Sequence, residues 1–328
     1  MSSNRVRAER ALLGSVLADP PAHHHLLDLV EGDDFERPWH AQVLAAMQRV
    51  RGRGGLPEAL AVYEEIQNDA DLPASVARDG VLLANLMEAS PRPGHARAYA
   101  AMVVEGGIRQ RLDLAGERLA QASQTGDLGS AVHQACQTSV VIDACQSRWT
   151  ALPDTIRSQL PAVPRGQRVS RMRIVPQAGR VGTRTPLPAR SSAAARSRPR
   201  PQVLPVTAQQ YQARADLEMH SDCGHPSDEV CGARALRDLI AAPAQIALVR
   251  GWLRPEHFAR PEHGLLYAVL RDLHAYWQPV DQLTVTWQAG RRGIIADPAT
   301  LSGGTGAFAV ASARDVYRLA MLARRDPP

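Results

Sequence analysis

One short pattern occurs twice in this chain. Asp34-Phe35-Glu36-Arg37-Pro38-Trp39-His40 and His257-Phe258-Ala259-Arg260-Pro261-Glu262-His263 share Phe-x-Arg-Pro-x-His at a spacing of 223 residues. Each copy follows a short helical pattern and precedes a longer one. The chain therefore reads as all-α, with two small helical-bundle modules on either side of an unrelated connector. In each copy the aromatic residue, Phe35 or Phe258, is expected to plug a core. The proline, Pro38 or Pro261, fits the first turn of a helix, where its missing N–H costs nothing. His40 and His263 fall in that same turn, and the pattern predicts that His40 bonds a neighbouring loop backbone. No Ser, Cys or Asp lies at a spacing that suggests a triad, so no catalytic residue is assigned.

Helical periodicity runs through much of the chain. Val6, Leu12, Leu13, Val16 and Leu17 form a stripe that Asp19-Pro20-Pro21 ends, because proline does not continue a helix. His23, His24 and His25 are adjacent and point three ways from a helix, which argues against a shared metal. Val43, Leu44, Met47 and Val50 continue from the first motif. A long helical segment spans 95–122, with Gly106-Gly107 inside it expected to loosen or break it. Asp127 is placed to N-cap a further helix carrying Leu128, Val132, Cys136 and Val140. In the second module Leu265, Leu266, Val269, Leu270 and Leu273 form a strong stripe. Gln282 to Ala289 corresponds to the short helix at 60–66, although Thr284-Val285-Thr286 lends it some strand character. Leu301 to Gly306 reads as a turn between helices.

The sequence contains no Lys, so all 38 basic residues are Arg. That excludes a Gly-x-x-x-x-Gly-Lys-Ser/Thr phosphate loop and a Schiff-base lysine within these residues. Between Asp154 and Asp216 there is no acidic residue, while Arg recurs and apolar periodicity is lost. This stretch is expected to be a disordered, Arg/Pro-rich linker that attracts phosphate backbones without reading sequence. Arg165, Arg168, Arg171, Arg173, Arg180, Arg184, Arg196, Arg198 and Arg200 are its candidate DNA contacts. His220, Cys223, His225 and Cys231 are spaced too irregularly for a zinc site, and neither a metal nor a cofactor is expected. No apolar run reaches membrane-spanning length, no signal core opens the chain, and four Cys make no disulfide framework. The expected setting is cytoplasmic, with nucleoid association through the basic linker and no membrane contact.

Residues 8–66, from Ala-Glu-Arg-Ala-Leu-Leu-Gly-Ser-Val-Leu-Ala-Asp-Pro to Asp34-Phe35, Pro38 and His40, resemble the N-terminal domain of DnaB-type replicative helicases. The resemblance continues through Tyr99-Ala100-x-Met102-Val103, Arg109 and Arg111 into a linker-like helix at 127–145. Residues 232–325 resemble the same domain less closely. The resemblance implies a first module at 1–146, a connector at 147–230 and a second module at 231–328. It also implies that Phe35, Arg37, Pro38, His40, Tyr99, Phe258, Arg260, Pro261 and His263 serve fold and assembly. In that family the domain dimerises through a helical hairpin, builds a collar and contacts primase or loader. The expectation is a non-catalytic replication protein that assembles with a replicative helicase, a primase or itself, while the basic linker touches DNA non-specifically. Two other readings are an ATP-dependent helicase subunit, which the missing Lys opposes, and a DNA-binding regulator that uses the modules to dimerise.

Overall fold

The computed structural model describes residues 3–69, 80–124, 127–160, 228–294, 296 and 301–325. Among them every regular element is helical. The first module comprises α1 (Asn4–Ala18), α2 (Pro38–Gly52), α3 (Ala59–Gln67), α4 (Gly80–Glu88), α5 (Ala96–Gln124) and α6 (Leu128–Ala151). The second comprises α7 (Asp228–Ala241), α8 (Pro261–Ala275), α9 (Gln282–Arg291) and α10 (Ala309–Arg325). The described residues of both modules fall in one compact unit.

The 223-residue spacing of the motif governs far more than the motif. α2 and α8 begin and end in the same register, as do the single turns Gly32–Asp34 and Pro255–His257. Pro38 and Pro261 each occupy the first turn of their helix. The two helices also stop alike, with a left-handed residue after the last turn and a following N–H returned to a carbonyl one turn earlier. In α2 the left-handed residue is Gly54 (φ +80°), and Gly55 N–H donates to Val50 C=O at 3.1 Å. In α8 it is Trp277 (φ +54°), and Gln278 N–H donates to Leu273 C=O at 2.8 Å. α10 stands in for α5: it packs on α7 and the Pro255–His257 turn as α5 packs on α1 and the Gly32–Asp34 turn. Where Gly14 lies against the backbone of Leu86 in α4, its counterpart Arg237 presents its carbonyl to Gly304 instead.

Several expectations change on contact with the structure. Gly106-Gly107 does not interrupt α5. A Cβ at Gly107 would lie 2.5 Å from Asp34 Oδ1, and one at Gly106 would lie 3.1 Å from Arg5, so both glycines serve close packing. The segment 282–289 is helical, as its correspondence to 60–66 predicts, and the β-branched Thr284-Val285-Thr286 does not turn it to strand. Asp281 accepts from Thr284 N–H at 2.8 Å while Thr284 Oγ1 accepts from Asp281 N–H at 2.9 Å, a reciprocal cap that outweighs propensity. The first module does not stop at 146. α6 continues to Ala151, and Leu152, Ile156 and Leu160 join the first core. α7 starts at Asp228, ahead of the expected 231.

The two modules are not separate beads. The first core is built around Tyr99, Leu12, Leu13, Leu44, Met47 and Met102, and the second around Tyr267, Leu236, Leu239 and Leu270. α9 belongs to both. Its Leu283 and Trp287 pack in the first core, while Val285 and Ala289 pack in the second. Leu283 is 1% exposed, whereas Leu60, its counterpart in α3, is 69% exposed.

Candidate functional site

The repeated motif forms a corner between the first helix and the second in each module. In the first module Phe35 is buried, and so is His40, whose Nδ1 lies 2.7 Å from Glu9 Oε2. Glu9 is fully buried and also accepts from the backbone N–H of Glu36 at 2.6 Å and Arg37 at 3.4 Å. His40 therefore reaches the loop through a carboxylate; it does not bond the backbone as expected. A second fully buried acid, Asp34, accepts from Glu31 N–H at 2.9 Å and from Arg111 at 3.3 Å, and it is ion-paired with Arg148. Burial pushes the Asp34 carboxyl up, against the pull of the Glu31 N–H, Arg148 and Arg111.

In the second module the same corner has the same plug and no buried acid. Phe258 is buried and its ring lies 5.3 Å from Tyr267. Position 232, the counterpart of Glu9, is a glycine whose added Cβ would sit 2.7 Å from His263 Nδ1. The counterpart of Asp34 is His257, which meets the Tyr317 ring edge-on at 5.0 Å. Arg37 and Arg260 are exposed at the helix starts. The shared Phe and Pro thus build the corner twice, and the polar chemistry around it differs.

A second polar cluster joins the modules. Asp281, 3% exposed, accepts from the Tyr99 hydroxyl at 2.8 Å and lies 2.5 Å from His95 Nδ1. Burial disfavours its charge. The His95 ring, the Thr284 N–H and the Tyr99 hydroxyl outweigh that, so its pKa lies below the usual 3.8. Burial, with the Asp281 charge beside it, holds the Tyr99 hydroxyl well above the usual phenol value. Glu105 accepts from Trp287 Nε1 at 2.8 Å, from Arg291 Nε at 2.9 Å and from Arg109 at 2.7 Å. Arg92 donates to the Ala241 carbonyl at 2.9 Å, satisfying the C-terminal end of α7. Tyr99, expected to serve fold and assembly, is fully buried in this contact between modules of one chain.

α5 and α6 form a long helical hairpin. Asp127 caps α6, accepting from Gly129 and Ser130 N–H at 3.1 Å each, as the sequence predicts. The root of the hairpin is buried; its outer part is not. Leu128, Val132, Cys136 and Val140 recur every four residues on α6 and are all exposed. Beside it lies a groove of about 770 Å³ floored by Leu29, Ala115, Val141 and Cys145 and edged by Arg111, Arg118 and Arg148.

The candidate DNA contacts Arg165 to Arg200 lie outside the described residues, as do His220, Cys223 and His225. Cys231 is buried in α7. Among the described residues no group of His, Cys, Asp and Glu is disposed to hold a metal, and no helix is long and apolar enough to cross a membrane. Sequence reasoning missed Glu9, Glu105, Arg148 and Asp281. Glu9 stands inside the stripe of α1, where a buried position carries a charge, and that was the available signal.

The DnaB-like helicase N-terminal domain model matches residues 1–105 and 234–318. The chain belongs to that family, carrying its domain in two segments. It is 30% identical over 142 residues to the replicative DNA helicase DnaB of Mycobacterium leprae (strain TN), covering 43% of this chain and 22% of that protein. It is 31% identical over 121 residues to the replicative DNA helicase DnaB of Geobacillus stearothermophilus, covering 37% of this chain and 26% of that one. The chain thus spans about a quarter of the curated relatives it matches. Among solved structures, the N-terminal domain of DnaB helicase from Mycobacterium tuberculosis matches at 27% identity, 94% of its own length and a TM-score of 0.34.

Proposed function

We propose that this chain is an assembly protein of replicative-helicase systems and acts by helix docking, with no ATPase of its own in these residues. The observation that carries the reading is the α5–α6 hairpin, whose outer apolar positions Leu128, Val132 and Val140 face solvent in a chain of the helicase N-domain family. Apolar side chains at four-residue spacing on an exposed helix suit another helix, from a second copy or from a helicase or primase. The lack of Lys supports the absence of a phosphate-loop motor. Light scattering of the pure chain, alone and mixed with a cognate replicative helicase or primase, tests this. A mass above the 35.5 kDa monomer, or a mixed complex, is expected. A monomer that joins neither partner contradicts the reading, and so does DNA-stimulated ATPase in the pure chain.

DNA contact by the connector belongs to the same proposal. Residues 161–227 hold 11 Arg against 3 acids, which leaves 27 Arg against 30 acids in the rest of the chain. The positive charge is concentrated in that segment, and the rest of the chain carries no excess of it, so binding to DNA would come from the segment. Affinity for DNA should fall steeply with salt and vanish when 161–227 is deleted.

A further inference from the structure

The two modules end their second helix in different chemistry. At the end of α2, Arg51 pairs with Asp28, Arg49 pairs with Glu65 and Asp69, and Arg53 pairs with Glu65. The counterparts, 223 residues on, are His274, Gly251, Asp272, Gln288, Arg292 and Tyr276. Of these only Asp272 and Arg292 keep an ion pair, at 2.8 Å and with the signs reversed. Two exposed rings stand there instead: Tyr276 is 64% exposed and Trp277 is 91% exposed. Trp277 takes the left-handed backbone (φ +54°) that Gly54 takes in the first module, and among the described residues it is the one non-glycine with positive φ. A β-carbon is strained there and the indole gains no burial in return, so packing does not account for the residue. Beside it lies a pocket of about 390 Å³ lined in part by His274 and Gln278. The His274 ring runs nearly parallel to the indole, at 25° and 6.4 Å between centroids. Burial, with the Arg250 charge nearby, holds the His274 imidazole below its usual value, so it presents a neutral ring at pH 7. No carboxylate lines the pocket, and its other two basic side chains are committed, Arg92 to the Ala241 carbonyl at 2.9 Å and His95 to Asp281 at 2.5 Å. Gln159 also lines it, one residue before Leu160, and the segment 161–227 with its 11 Arg and 3 acids follows directly. At most about 18 Å of chain separates Arg165 from Leu160.

We propose that Trp277 is a stacking platform for an unpaired base of single-stranded DNA whose phosphates the Arg-rich segment holds. The two halves of such a site need different chemistry, and the protein separates them. An aromatic face accepts any base and reads no sequence, provided the base is unpaired. Phosphate contact needs free cations, which the pocket lacks and the segment beside it supplies in excess. Two adjacent residues in a turn present rings and no helical stripe, which suits a flat base better than a docked helix. The inference rests on the reading that the connector contacts DNA, and it adds that the folded part engages the bases.

The test titrates the full chain into a labelled oligothymidylate of about 20 nucleotides and into a duplex of the same length, by fluorescence anisotropy at one salt concentration. Trp277→Gly is the diagnostic variant, because it relieves the left-handed strain and keeps the fold, which circular dichroism checks. It should weaken single-strand binding about tenfold and leave duplex binding unchanged. Deletion of 161–227 should remove duplex binding, which reports on the connector separately. Duplex binding that survives the deletion contradicts the connector reading, while the Trp277→Gly comparison still decides this one. Equal single-strand affinity of parent and variant, an equal loss on both nucleic acids, or a parent that binds neither overturns the proposal. So does a variant whose single-strand binding is intact but whose mass in light scattering changes, which would assign Trp277 to a protein contact.

Discussion

The two modules share a backbone register and differ in where they bury charge. From α1 to α3 each residue of the first has its counterpart 223 positions on, yet the first hides Glu9 and Asp34 where the second has Gly232 and His257. The second instead hides Asp238, bonded to Ser312 Oγ at 2.7 Å, and Asp281, which faces the first module. What repeats is therefore what makes the corner: an aromatic plug and a proline at a helix start. What does not repeat includes contacts particular to one module, Asp34 with Arg148 of α6 in one case and Asp281 with the neighbouring module in the other. A residue matched in both copies is best read as a determinant of the shared corner, and an unmatched buried charge as serving a contact that its own copy alone makes, as Glu9 does with His40 and Asp238 with Ser312.

The largest effect should come from the shared plug. Phe35→Ala and Phe258→Ala should each cost about 3–5 kcal/mol in urea unfolding, because each removes a core side chain and leaves a cavity. Loss of one plug alone with no cost would break the equivalence of the two corners. The unshared charge comes next. Asp281→Ala should cost about 3 kcal/mol, since it strips a buried acceptor from Tyr99 and His95. Glu58→Ala, at the matching and exposed position of the first module, should stay within about 0.5 kcal/mol. Equal costs would remove the distinction between the modules.

The same carboxylate gives a pH signature. Its folded pKa lies below the usual 3.8, so the stability it contributes is present above that value and is lost as pH falls through the lowered folded pKa. Urea midpoints of the parent and of Asp281→Asn should therefore converge as pH drops below about 4. A gap that persists into strong acid would mean that the site stabilises by shape. The smallest effect concerns the helix ends. Trp277 occupies a left-handed position that Gly54 fills at no steric cost, and it is 91% exposed. Trp277→Gly should raise stability by about 1 kcal/mol, and Gly54→Ala should lower it by a similar amount.

Much of the helical order was legible because apolar spacing and punctuation agree: Pro38 and Pro261 open helices, and Asp127 caps α6. Gly106-Gly107 misled because a glycine pair weakens an isolated helix, whereas here it lets Asp34 and Arg5 approach a buried one. The match of 282–289 to the helix at 60–66 proved the better guide than the β-branching of Thr284-Val285-Thr286, because Asp281 caps the helix. The join between modules was hidden for a different reason. Its signal was a single exchange, Glu64 in α3 for Trp287 in α9, which turns an exposed face into one that packs in the first core. Glu9 was signalled only by its place inside the apolar stripe of α1, and the burial of Asp34 could not be read, because its partner Arg148 stands 114 positions away in sequence.

Light scattering of the full chain and of Leu128→Asp/Val132→Asp, over a wide concentration range, tests the account most directly. Both residues are exposed, so the fold should survive and only docking should suffer. The account predicts a parent mass above 35.5 kDa, or a complex with the cognate helicase, and its loss in the double variant. A parent that stays monomeric and solitary, or a variant that assembles as well as the parent, would contradict it.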